Sequence, residues 1–213
     1  MRNALLTAAL VIIIITAVTA AIGEETPAPP SVSLLPGTDK PAATNCPDGA
    51  AYVYKEYTIY VVQNADFPGQ DIHIYKPPSP PGDPCGTGKG EKYFSIPAGE
   101  SGGENFFAGI SGNYLFIDQG TGPSYRTLTV FDMMEKKFPL LALRYSGARI
   151  EHGALTYYET RDEVTGALEK IPCPAASEWK KQGLDVIYEE KMSFDLKSGK
   201  ESSLRQFRCS PAQ

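Results

Sequence analysis

The sequence predicts an all-β protein, an antiparallel meander folded into a sandwich or barrel, and three observations carry that prediction. Aromatic and β-branched residues alternate with polar ones at a period of two, as half-buried strands require. Clusters of Gly, Pro, Asn and Asp separate these runs, as turns do. Four cysteines, Cys46, Cys85, Cys173 and Cys209, all lie beyond an N-terminal export segment, where an even number implies a disulfide framework.

The export segment comes first. Arg2 precedes an uncharged run through Val11-Ile12-Ile13-Ile14-Ile15, small residues follow in Thr19-Ala20-Ala21-Ile22-Gly23, and Glu24-Glu25 closes the stretch. That order is the order of a secretory signal. Ala21 and Gly23 suit a peptidase acting before Glu24, so residues 1–23 read as a cleaved signal peptide. Residues 4–22 are also long enough to act as an uncleaved signal anchor. On either reading the rest of the chain is exported, periplasmic or extracellular, and touches membrane only through a retained N-terminus.

Residues 24–45 contain Pro27, Pro29, Pro30, Pro36 and Pro41 and read as a flexible proline-rich spacer. Residues 46–213 then form a single disulfide-stapled β domain, long enough for one hydrophobic core.

Within the body, Ala51 to Gln63 reads as one long strand with Tyr52, Tyr54, Thr58, Tyr60 and Val62 on one face. Further strands are expected at Ile72–Tyr75, Lys92–Ile96, Tyr114–Asp118, Thr127–Asp132, Leu140–Tyr145, Leu155–Thr160, Val186–Asp195 and Leu204–Cys209. One short helix is expected near 174–182, with Pro174 at its first position and Gly183 as its C-terminal cap. A faint similarity links Asp132, Asp162 and Asp195, each at the head of a turn sequence. It allows a propeller-like repeat, although a meander of similar hairpins explains it as well.

Four cysteines permit three pairings. Cys46–Cys85 and Cys173–Cys209 close the shortest loops and are favoured; each would stabilise by roughly 3–4 kcal/mol in the chain-entropy model. No C-x-x-C pair supports a zinc site, so no metal and no cofactor is expected.

Charge narrows the partners. The whole chain has 20 basic and 25 acidic residues, a net charge of −5. No basic stripe is present to meet phosphates, which argues against nucleic acid.

Two segments are candidates for chemistry. Asp71, His73 and Tyr75 alternate with Ile72 and Ile74, so a carboxylate, an imidazole and a phenol share one strand face. The plain account is a polar face opposite a buried one. In the second segment, a strongly apolar strand ends at Asp118, and Gly120 and Gly122 loosen the backbone beside Thr121, Ser124 and Arg126. Backbone amides and an arginine there could hold an anion or a sugar; the plain account is a turn in which Arg126 pairs with Asp118. His152 is expected in a turn. Gly109-Ile110-Ser111-Gly112-Asn113 departs from the nucleophile elbow in its last residue and in its context. Gly86 to Gly90 lacks phosphate-loop spacing, and Pro77 to Gly90 reads as a surface loop pinned by Cys85.

Ser146-Gly147-Ala148-Arg149, with Gly153, Tyr157-Tyr158, Asp162-Glu163 and Cys173 after it, resembles the signature stretch of the periplasmic C-type lysozyme inhibitors. The resemblance implies a loop on a small β-barrel that enters the lysozyme cleft. The chain departs from that pattern at Ile150, where an aromatic is usual, and at its tyrosine pair, where tryptophan is expected.

These features point to a non-catalytic exported domain that binds a protein or glycan partner in the cell envelope. The alternatives are an exported hydrolase of envelope polymers using Asp71, His73 or Asp118, a lysozyme-inhibitor-like protein, and a structural envelope component.

Overall fold

The computed structural model describes residues 33–76, 85, 92–99, 104–120, 126–161 and 170–212. The expected signal segment, residues 24–32 of the spacer, the glycine-rich stretch after Cys85, Thr121, Ser124 and Asp162 lie outside them. No helix among the described residues is long and apolar enough to cross a membrane.

The chain forms three antiparallel meanders in sequence order. The first sheet comprises β1 (Ala42–Cys46), β2 (Gly49–Val53), β3 (Thr58–Gln63), β4 (Gln70–Tyr75) and β5 (Lys92–Ile96). The second comprises β6 (Asn105–Ser111), β7 (Tyr114–Gln119), β8 (Thr127–Asp132) and β9 (Lys137–Ala142). The third comprises β10 (Tyr145–Glu151), β11 (Ala154–Arg161), β12 (Asp185–Asp195) and β13 (Lys200–Ala212), with helix α1 (Ala176–Lys181) between β11 and β12.

Burial explains how the sheets stack. Leu115 and Ile117 of β7, with Phe131 and Met133, join Tyr52, Ile59, Val61, Ile72 and Ile74 of the first sheet in one core. Phe116 of β7, with Leu128 and Val130 of β8, joins Leu155, Tyr157, Met192 and Phe194 of the third sheet in another. Successive side chains leave a strand on opposite faces, so the second sheet is the middle layer of a three-layer sandwich. A sheet buried on both sides needs near-continuous apolar strands, which is why Leu115-Phe116-Ile117 shows no alternation.

A buried polar chain ties the middle sheet together and joins it to the first. Thr129 Oγ1 donates to Gln119 Oε1 at 2.9 Å, Gln119 Nε2 to Asn105 Oδ1 at 2.7 Å, and Asn105 Nδ2 to the Pro97 carbonyl at 2.9 Å. The Phe107 amide donates to Gln70 Oε1 of β4 at 2.9 Å.

Three strand expectations change. Ala51 to Gln63 is a hairpin, not one strand, because Lys55-Glu56 turn the chain and the Tyr54 amide donates to the Tyr57 carbonyl. With no Gly or Pro at the turn, the β-rich pattern runs unbroken through it. The reversal separates the expected face: Tyr52 and Tyr54 enter the core between sheets, whereas Tyr60 packs on the outer face with Ala51 and Tyr75. Leu140–Tyr145 likewise straddles the turn from β9 to β10, where Arg144 takes a φ of 50°. Strands β1 and β6 had no counterpart in the sequence reading.

Part of the expected spacer belongs to the fold. Leu34 packs on the core between the first two sheets and Leu35 on the core between the second and third. The Leu35 amide donates to the Ala108 carbonyl, the Asp39 amide to the Ile110 carbonyl, and the Ile150 amide to the Pro36 carbonyl. Residues 33–39 therefore strap across the layers. Two leucines among the prolines supply the apolar contact that a tether lacks.

Other features follow from local chemistry. The disulfides are Cys46–Cys85 and Cys173–Cys209. Pro139 and Pro211 sit in β9 and β13, both edge strands, the strands of a sheet in which proline is tolerated. Gly183, at φ 76°, follows the helix as its C-terminal stop. Asp132 Oδ1 accepts from the Met134 and Glu135 amides, and Asp195 Oδ1 from the Lys197 and Ser198 amides. The similarity between these two aspartates is thus one turn device, used between the last two strands of two sheets.

Candidate functional site

The described residues of the two segments singled out from the sequence each have a partner or a place in the packing. On β4, Asp71, His73 and Tyr75 do share the face opposite the buried Ile72 and Ile74. Asp71 Oδ1 accepts from the Ala98 amide at 2.8 Å and from Asn64 Nδ2 at 3.0 Å, closing two turns. His73 Nδ1 lies 2.9 Å from Ser95 Oγ on β5. Tyr75 is buried against Tyr60 and Ala51. Asp118, in the middle sheet, is not brought to this group.

Asp118 instead meets Arg126, whose Nε lies 2.8 and 2.9 Å from the two carboxylate oxygens. Arg126 Nη2 bonds the same carboxylate. This bidentate fork joins Asp118 of β7 to the residue that precedes β8. Burial first, and then the nearby Asp118 carboxylate, raise the Tyr145 phenol well above its ordinary value. Tyr145 therefore stays a donor. Its backbone amide donates to the Arg126 carbonyl at 2.9 Å, which carries the pair to the start of the third sheet.

There, Tyr145 lines a pocket of about 160 Å³ with Arg144, Ser146, Thr160, Glu189 and Arg208 among its walls. Register assembles it. Thr160, Glu189 and Arg208 stand in one row across β11, β12 and β13, and Ser146, Tyr158 and Lys191 stand in the next row across β10, β11 and β12. Both rows lie on the face opposite Tyr157, Met192 and Phe194, away from the middle sheet.

Glu189 is the centre of the network, with its side chain only 2% exposed. Its carboxylate accepts from Arg208 Nε at 2.7 Å, from Ser210 Oγ at 2.8 Å, and from Ser146 Oγ. Arg208 Nη2 donates to Ser146 Oγ at 2.7 Å, and its guanidinium carbon lies 3.7 Å from the centre of the Tyr158 ring. Lys191 Nζ lies 6.0 Å from the same ring. A buried carboxylate is tolerated only when paired and hydrogen-bonded, and here both conditions are met.

The local sequence explains how Ser146 reaches this network. The β10–β11 register shifts between Ser146 and Arg149, and Gly147 takes a φ of 59°. This bulge keeps Ser146 toward Glu189 while Ala148 turns into the core. The Ser-Gly-Ala-Arg stretch is thus a strand bulge in an open sheet, not a loop on a closed barrel, and Arg149 pairs with Glu151 at 3.0 Å. His152 and Gly153, with φ of 53° and 77°, form the two-residue turn that follows.

No family model matches the chain, and the comparisons with curated proteins and with solved structures give no match either.

Glu189 and Arg208 went unmarked in the sequence reading because nothing local singles them out. Alternation in β12 places Ile187, Glu189, Lys191 and Ser193 on one face, but the partner of Glu189 is nineteen residues away. Among the described residues no group of three or more His, Cys, Asp and Glu is arranged to hold a metal ion.

Proposed function

We propose that this chain is an exported, non-catalytic binding protein of the cell envelope. It uses the pocket on the outer face of the third sheet to hold an acidic group, a carboxylate or phosphate, of its partner. The observation that carries the reading is the preassembled Glu189–Arg208 pair. A guanidinium already fixed by two hydrogen bonds and an aromatic ring loses little freedom on meeting an anion. Arg144 lines the same pocket, in a chain whose overall balance is acidic.

The two disulfides fit an oxidising compartment, and the N-terminal signal is read as the route to it. The hydrolase alternative draws no support from geometry, since Asp71, His73 and Asp118 are spread over two sheets and each is engaged in a turn, a strand pair or an ion pair.

The experiment is co-purification from the native host with a C-terminal tag, in parallel for the wild type and Arg144→Gly. Arg144 has a φ of 50°, so glycine removes the guanidinium without straining the backbone. A stoichiometric envelope partner captured by the wild type, weakened by Arg144→Gly and released by salt, supports the reading. A partner indifferent to both, or turnover of an envelope polymer by the clean protein, refutes it.

A further inference from the structure

Of the six large hydrophobic side chains that stand exposed among the described residues, four fall within ten positions: Met134, Phe138, Leu141 and Leu143. They belong to β9, an edge strand of the middle sheet, and to the turns at its two ends. Scattered singly, such residues need no explanation, but an apolar patch rimmed by polar groups marks an interaction surface.

Register puts the patch on one face. The β8–β9 ladder shifts between Val130 and Asp132, where β9 carries one extra residue. The bulge gives Phe138 the same face as Leu141. Phe138 packs on the buried Phe131 ring at 4.9 Å, and Leu141 stands opposite Thr129, two residues from Phe131. Leu140 and Ala142 turn to the other face and join the core with the third sheet. The first sheet covers Phe131 through Phe94, at 4.7 Å, but leaves Leu141 60% exposed.

Cations gather on the same side. Lys136 Nζ lies 4.0 Å from the centre of the Tyr93 ring, Tyr93 stands 6.5 Å from Tyr57, and Lys76 Nζ lies 5.2 Å from the Tyr57 ring. Lys92 precedes Tyr93, and Lys137 opens β9. The carboxylates beside these four lysines are Asp132, committed to its turn amides, and Glu135, 3.8 Å from Lys137. Glu56 is matched by Lys55 at 3.8 Å. The rim is positive on a chain whose net charge is −5.

We propose that this edge seats the exported protein on an anionic lipid surface. Apolar side chains that enter the acyl boundary and lysines that meet lipid phosphates are the two contributions on which interfacial binding depends. A second protein chain fits less well. Proline on an edge strand discourages pairing with another strand, and Pro139 stands within β9. The exposed parts of four side chains also fall short of the ~800 Å² that each partner gives to a stable protein interface. None of these residues lines the anion pocket, so the inference does not depend on the function proposed above.

The test sediments the exported chain, as the native host processes it, with vesicles of phosphatidylglycerol and phosphatidylethanolamine and with vesicles of phosphatidylcholine alone. The wild type is compared with Leu141→Glu and with Lys136→Gln/Lys137→Gln, and thermal melts verify that each is folded. Leu141→Trp reports from the edge itself, with the wild type, whose one tryptophan is Trp179, as the blank. The expected result is binding to the anionic vesicles that salt weakens, about tenfold or more tighter than to phosphatidylcholine, and about tenfold weaker in either variant. The introduced tryptophan should shift to the blue and be quenched by lipids brominated on their acyl chains. Binding indifferent to both variants with that tryptophan unmoved, as a retained N-terminal segment would give, overturns the proposal. So does an absence of binding, equal binding to both kinds of vesicle, or self-association without lipid that Leu141→Glu abolishes.

Discussion

The Arg208 guanidinium carbon stands 3.7 Å from the centre of the Tyr158 ring. The ring supports one side of a cation whose Nε is committed to Glu189. Stacking flat on the ring while Nε donates to Glu189 and Nη2 to Ser146 suits the planar guanidinium and not a point-like ammonium. Arg208→Lys should therefore behave as a loss, not as a conservative change.

Removing the cation tests the energetics of the pair. Arg208→Ala leaves Glu189 buried with its ionic partner gone, and breaking a buried pair costs about 3–5 kcal/mol. Arg208 is 42% exposed, so water offsets part of that cost. We expect a loss of about 2–3 kcal/mol, read as a lower urea midpoint at unchanged slope. Tyr158→Ala should cost less, because the ion pair survives it.

Glu159 makes stability depend on pH. Burial raises its carboxyl above the ordinary value, and the neighbouring Glu201 and Glu190 add to the rise, while Arg161 at 2.9 Å opposes it. The native state therefore holds this proton to higher pH than the unfolded chain does. Stability from this group is present below the unfolded carboxylate range and falls as pH rises from there through the folded value. Glu159→Gln should abolish that slope. The melting temperature of the variant relative to the wild type should be higher at pH 7 than at pH 4, and an unchanged difference would refute the assignment.

The polar chain between the first two sheets is a third test. Gln119→Leu removes a donor to Asn105 and an acceptor from Thr129, both buried. Buried groups left unpaired cost about 1–3 kcal/mol each. Gly69→Ala attacks the same junction through the backbone. Gly69 has a φ of 108°, and a methyl group there would lie 2.7 Å from the Asn105 amide nitrogen. Both variants should unfold at lower denaturant, and Gln119→Leu/Thr129→Val should recover part of the loss by removing the second orphan.

The disulfides give a fourth. Peptide mapping without reduction should recover Cys46 linked to Cys85 and Cys173 linked to Cys209. Replacing Cys173 and Cys209 together by Ser opens a loop whose ends are 36 residues apart and should cost about 4 kcal/mol at most in the chain-entropy model.

Much of this architecture was legible in the sequence. Period-two runs located Lys92–Ile96 and Thr127–Asp132 to the residue, because Pro97 follows the first and the second ends in the turn-forming Asp132. Loop length selected the disulfide pairing. The Asp118–Arg126 pair was visible as the plain account of its loop, since both residues lie at the ends of adjacent strands. The Lys55-Glu56 turn was not legible, because neither residue breaks the β pattern around it.

Taken alone, the sequence determined the class of fold and the covalent pairing. Each of these depends on local periodicity, composition or loop length. Only the tertiary structure decided that Leu34 and Leu35 strap the layers, that the middle sheet is buried on both faces, and that Ser146, Glu189 and Arg208 converge. Those relations depend on strand register and sheet stacking, which join residues far apart in the chain through contacts that no local pattern encodes.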